Sequence, residues 1–187
     1  LPESIGNLSN LTILYLINNE IATIPESIEG LIKLEEFYLS ANELTYLSES
    51  IGNLQNLLEL DLPYNHIISL PESISNLINL KELDLWGNEL THLLENIGNM
   101  GNLEALILYD NNLFNFPESI GDLSNLKKLN AGNNQLTIVP DYICDLISLM
   151  HLNLDRNQLQ TIPDCIGNLS ELVELTLQYN YIDFIPE

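Results

Sequence analysis

Residues 1–23 read LPESIGNLSNLTILYLINNEIAT, and residues 24–46 read IPESIEGLIKLEEFYLSANELTY. The second stretch follows the letters of the first, and the same 23-residue frame recurs from 47, 70, 93, 116, 139 and 162. Ile185-Pro186-Glu187 begins a ninth copy, so residues 1–187 are read as one repeat domain of eight full copies and a partial ninth at 185–187, without insertion or deletion. A fixed period of this length marks a solenoid, in which each copy packs only on its neighbours and a continuous core runs the length of the stack.

The second half of each copy reads L-x-x-L-x-L-x-x-N-x-L, as in Leu80, Leu83, Leu85, Asn88 and Leu90. Its middle alternates apolar and polar residues, the period of a half-buried strand. A connection of this length cannot be a tight hairpin, so successive strands are expected to pair in parallel. Eight strands at a spacing of ~4.8 Å make a ribbon roughly 35 Å long. The asparagine column is unbroken: Asn19, Asn42, Asn65, Asn88, Asn111, Asn134, Asn157 and Asn180. An amide side chain both donates and accepts, and a ladder of such residues satisfies backbone groups that a buried turn leaves unpaired.

The first half reads [LIVF]-P-E-S-I-G-N-L. Its apolar pairs three apart, such as Ile28 and Leu31, predict a short helical or 3₁₀ turn on the convex side, with proline at the first helical position and an acid beside it at the positive end of the dipole. Ala131 replaces a core leucine, which is expected to cost about 2–4 kcal/mol. Ser48 and Leu94 replace the proline, and Phe37 enlarges one core position.

The formal net charge is −22, from 27 acidic and 5 basic residues. That balance argues against nucleic acid and against anionic membrane as partners. The acidic column Glu3, Glu26, Glu49, Glu72, Glu95, Glu118, Asp141, Asp164 and Glu187 belongs to the convex turns and has a local reason to be there. Apolar residues fall at fixed intervals, and no run approaches the ~18 residues of a membrane span. Leu1 stands inside the frame, so the chain is expected to be a piece of a longer one; no signal peptide and no polar capping segments are read. Cys144 and Cys165, at the sixth and fourth frame positions of adjacent copies, are expected to be free thiols, which favours a reducing compartment.

The L-x-x-L-x-L-x-x-N-x-L block, repeated eight times, resembles the leucine-rich repeat (LRR) family over the whole chain, and the [IL]-P-x-x-I-G-x-L half is similar to its 23-residue subclass. That subclass occurs in Ras-group intracellular scaffolds, their plant relatives and many bacterial proteins, host-directed effectors among them. The resemblance implies an α/β fold: a right-handed horseshoe solenoid with a concave parallel β-sheet, whose usual work is binding other proteins. Near-identical copies rich in Asn and Ile suggest a bacterial source; with free thiols, the protein is expected to be cytoplasmic, or secreted into a host cell if it is an effector.

Residues beside the two inner leucines are expected to face the concave side and have no packing duty. Glu36, Glu59 and Glu82 share one column, and Asp61 and Asp84 another, although like charges in adjacent strands destabilise a sheet. Beside them stand Tyr15, Tyr38, Tyr64, Trp86 and Tyr109, of the types most enriched in binding hot spots, together with Ile107 and Arg156. Copies six and seven add Lys127, Lys128 and His151, so the face is expected to be acidic and aromatic toward its start and mildly basic toward its end. The partner is read as a protein with a basic patch. No phosphate loop, nucleophile elbow or paired histidines appear, and His66, His92 and His151 fall at three different frame positions, so neither enzyme nor cofactor is read. A flat sheet lacks converging carbonyls for calcium at the carboxylates, so no metal is expected. The sequons at Asn7, Asn10 and Asn168 arise from the repeat itself. The alternative is a substrate-recognition domain of a larger signalling enzyme, a ubiquitin ligase or kinase, with its catalytic part elsewhere.

Overall fold

The computed structural model describes residues 1–184; the start of a ninth copy at 185–187 lies outside the described residues. Eight three-residue strands alternate with eight 3₁₀ helices: β1 Ile13–Tyr15, β2 Glu36–Tyr38, β3 Glu59–Asp61, β4 Glu82–Asp84, β5 Ala105–Ile107, β6 Lys128–Asn130, β7 His151–Asn153 and β8 Glu174–Thr176. They form one open sheet in chain order, every pairing parallel. Each residue lies opposite the one a single period away, as Glu59 does opposite Glu36 and Glu82. The central residue of each interior strand points into the core: Phe37, Leu60, Leu83, Leu106, Leu129 and Leu152 are fully buried. At about 1.5–3 kcal/mol for each large apolar side chain removed from water, these columns dominate the stability of the stack. Ala131 is fully buried in its column as well.

The convex turns are 3₁₀ helices such as Glu26–Gly30, and one feature differs from the sequence reading. Proline stands one residue earlier than expected, as the N-cap, with Pro25 in the extended region at φ −69° and ψ 154°. Its locked φ fits that region, and the acid behind it becomes the first helical residue. Ser48 substitutes by capping, its side chain accepting from the Ser50 N–H. Leu94 offers no such cap, and the helix shortens to Ile97–Asn99.

The asparagine column forms a buried ladder. Asn88 accepts the Ile67 N–H at 3.0 Å and donates to Leu62 O and Leu85 O, both at 3.0 Å. The other interior copies repeat the pattern, so the sharp turn after each strand leaves its backbone satisfied. Just before each asparagine the chain takes a left-handed residue, from Asn18 and Ala41 to Tyr179, with φ between 52° and 65°. Gly87 is the only glycine in that column, and the non-glycine members cost roughly 1–2 kcal/mol each.

Cys144 and Cys165 are joined in a disulfide, with Cα atoms 5.9 Å apart. This corrects the expectation of free thiols. The sixth position of one copy lies directly under the fourth of the next, and in other copies that contact is glycine against a serine carbonyl, as at Gly52 and Ser73. A cysteine on both sides of the contact is within bonding reach.

Candidate functional site

The concave face is built by the first and third residues of each strand. In the first column Glu36, Glu59 and Glu82 stand in register; in the third, Tyr38, Asp61, Asp84 and Ile107 do. The predicted acidic residues are therefore brought together on three adjacent strands. Several are fixed by their neighbours: the Tyr38 hydroxyl donates to Glu36 Oε2 at 3.0 Å, Ser40 Oγ donates to Asp61 Oδ1, and the Trp86 N–H donates to Asp84 Oδ1 at 2.9 Å.

Burial raises the proton affinity of Asp61, Glu82 and Asp84. Partial burial pushes Asp84 up to about 6, with the charges of Asp61 and Glu82 adding to it, against the Trp86 N–H and Lys128, which pull it down. Burial also raises Asp61 and Glu82, the latter helped by Glu59. Tyr38 is pushed well above the usual phenol range by burial and by Glu59 and Glu36. Lys128 is the one cation that offsets Glu82 and Asp84, and it does not outweigh the burial that disfavours their charge.

The aromatic residues sort into two groups. Tyr15 and Tyr38 stack with centroids 4.7 Å apart and planes 8° from parallel. Tyr64, Trp86 and Tyr109 form a second group, with centroids 5.3 and 5.6 Å apart, the latter pair edge to face. The left-handed turn at Tyr64 sends its ring back over Gly87, and Tyr109 lies over Gly132: a Cβ at either glycine would come within 3.0 Å of the ring. Glycine at these two places gives the rings room to lie against the sheet. Tyr64 and Trp86 remain 53% and 38% exposed, so the cluster is a rigid platform still open to a partner.

Two predicted site residues are placed differently. Ile107 is 5% exposed and contributes packing rather than surface. Arg156 is engaged within the protein, its guanidinium 4.6 Å over the Tyr179 ring and 3.6 Å from Asp155. The basic end of the face is also partly neutralised, with Lys127 2.6 Å from Glu104 and His151 3.2 Å from Glu174. Among the described residues no three His, Cys, Asp or Glu side chains converge as a metal site, and no helix is long and apolar enough to cross a membrane.

One feature of the face was not read in sequence. A hollow of about 380 Å³ opens over β6–β8, lined by Lys128, Asn130, His151, Asn153, Glu174 and Thr176. Its signal was present in the register, which aligns Asn130, Asn153 and Thr176 in one column.

The family profile described as leucine-rich repeat region matches residues 83–183, and one described as leucine rich repeat matches 2–44 and 34–90. No curated protein matches the chain. Among solved structures, an LRR protein of Leptospira interrogans is 37% identical with a TM-score of 0.96, over all of this chain and 47% of that one. A plant peptide hormone receptor, RGFR1 in complex with RGF2, is 28% identical with a TM-score of 0.88, over 99% of this chain and 30% of that one. Internalin C2 of Listeria monocytogenes is 27% identical with a TM-score of 0.85, over 98% of this chain and 77% of that one. The chain spans less than half the length of the first two.

Proposed function

From the premise that this chain belongs to the leucine-rich repeat family, we propose that it is a non-catalytic interaction module whose concave face in copies two to five holds a basic segment of a protein partner. The observation that carries the reading is the block of in-register carboxylates, with Asp84 raised to about 6, beside the Tyr64–Trp86–Tyr109 platform. Placing like charges in adjacent strands costs the sheet stability, and a cationic ligand removes that cost on binding. Exposed aromatic rings beside it supply rigid contact area for the ligand's apolar stems. The similar plant receptor, which is in complex with RGF2, supports a peptide-sized ligand on such a solenoid.

The same reading takes residues 1–187 as one repeat domain of the 23-residue subclass. A bacterial source is supported by the near-identical copies and by the likeness to the Leptospira protein, and a host-directed role belongs to the same reading. The Cys144–Cys165 disulfide favours a secreted protein over a cytoplasmic one, because thiols stay reduced in the cytosol. A second reading, the recognition domain of a larger signalling enzyme, draws support from a similar solved chain, the LRR ectodomain of a plant membrane receptor kinase, 32% identical over 96% of this chain.

Selection from a random peptide library on the immobilised protein tests the proposal. The intact face should enrich peptides bearing Lys or Arg beside apolar residues. A Glu59→Lys plus Asp61→Lys variant should lose that enrichment, and Trp86→Ala plus Tyr109→Ala should weaken it. Recovery of the same peptides by all three proteins would refute the reading.

A further inference from the structure

The hollow over β6–β8 differs chemically from the rest of the face. Asn130 Oδ1 accepts the Gly132 N–H at 3.3 Å, and Asn153 Oδ1 accepts the Asp155 N–H at 2.9 Å. Both amides are thereby fixed with the oxygen turned to the backbone, which leaves each Nδ2 as a donor. The two residues are neighbours in register, and Thr176 continues the column with a hydroxyl. Lys128 is exposed at the edge of the hollow and, among the described residues, makes no ion pair. The single carboxylate in the lining, Glu174, is already engaged by His151 at 3.2 Å. An ammonium, two primary amides and a hydroxyl thus line one hollow; the ammonium and the two amide nitrogens only donate, and the hydroxyl can donate beside them.

We propose that this hollow is a carboxylate subsite, and that the ligand of the concave face is an extended dipolar segment. Its basic residue lies over β3–β4 and its Asp or Glu side chain enters the hollow. This rests on the functional reading above and adds the second half of the ligand. The sheet sets the spacing. From β3–β4 to β7 is three to four strand steps in the sheet order, about 14–19 Å at ~4.8 Å per step. An extended chain advances ~3.3 Å per residue, so about four to six residues separate the basic residue from the acid. Lys128 stands between the two halves, close enough to lower the proton affinity of Glu82 and Asp84. A ligand of the opposite dipole, acid over β3–β4 and base in the hollow, would meet like charge at one end and the Lys128 ammonium with two amide donors at the other.

The test is the same peptide selection, with peptides acetylated and amidated at their ends so that every carboxylate is a side chain. The wild-type protein should enrich an acid about four to six residues from a basic residue. An Asn130→Asp plus Asn153→Asp variant keeps both oxygens for the backbone N–H groups and exchanges the free donors for acceptors; it should keep the basic preference and lose the acidic one. Lys128→Glu, at an exposed position, should do the same. Glu→Gln in a selected peptide should weaken its binding to the wild type about tenfold and should not weaken its binding to the variants, whose introduced carboxylates repel the glutamate. Basic enrichment with no acid at a fixed distance, or an acid preference that both variants retain, overturns the subsite and leaves the functional reading standing. Absence of basic enrichment on the wild type overturns both.

Discussion

Asn111→Ala tests the buried ladder that lets the turns be buried at all. Asn111 Oδ1 accepts the Leu90 N–H at 3.0 Å, and its Nδ2 donates to Leu85 O at 2.9 Å and Leu108 O at 3.2 Å. Truncation leaves the Leu90 N–H without a partner in a buried position, at about 1–3 kcal/mol. The two carbonyls keep a second donor: Asn88 stays 3.0 Å from Leu85 O, and Asn134 stays 2.9 Å from Leu108 O. Each therefore loses only an ordinary bond, about 0.5–1.5 kcal/mol apiece, for about 2–6 kcal/mol in all. Asn19 provides the contrast. It is exposed, it donates to Leu16 O at 2.9 Å, and that oxygen also receives Asn42 at 2.9 Å. Asn19→Ala should therefore cost less than about 1 kcal/mol. The assay is urea unfolding followed by far-ultraviolet circular dichroism, with fluorescence of the single tryptophan, Trp86, as a second probe. Coincident curves are required before free energies are compared, because repeat arrays can lose cooperativity. An Asn111→Ala variant no less stable than Asn19→Ala would refute the ladder's part in the fold.

The remaining predictions concern charge and covalent structure. Asp84 binds its proton more tightly folded, at about 6, than its ordinary value of 3.8. Between those values the folded chain holds more protons than the unfolded one, so stability falls as pH rises through the window. Urea midpoints should be higher at pH 5 than at pH 7, and Asp84→Asn, which keeps the acceptor for the Trp86 N–H, should reduce the difference; an unchanged difference would contradict the assignment. Opening the Cys144–Cys165 bond, which closes a separation of 21 residues, should destabilise the chain by about 3 kcal/mol in the chain-entropy treatment. Unfolding with and without reductant, alongside Cys144→Ser plus Cys165→Ser, measures this, and identical midpoints would show that the bond constrains nothing.

A one-dimensional repeat makes its own contact map legible. Because every copy has the same length, residue i must lie beside the residue one period away, and the strand register, the leucine columns, the asparagine ladder and the gathering of Glu36, Glu59, Glu82, Asp61 and Asp84 all follow from counting. What counting cannot supply depends on how side chains and backbone meet in space. Ile107 sits in an exposed column yet is buried. Arg156 reads as a free cation until Tyr179 and Asp155 are placed around it. The cysteines share a contact whose reach is set by the stagger of sixth position over fourth, which the period leaves open. Asn130 and Asn153 read as neutral polar residues, and only their bonds to the backbone N–H groups turn them into directed donors. Sequence by itself determined which residues are neighbours, because the period is a translation. Tertiary structure decided what those neighbours do to one another, because burial, rotamer and protonation are set by all the groups around a side chain together.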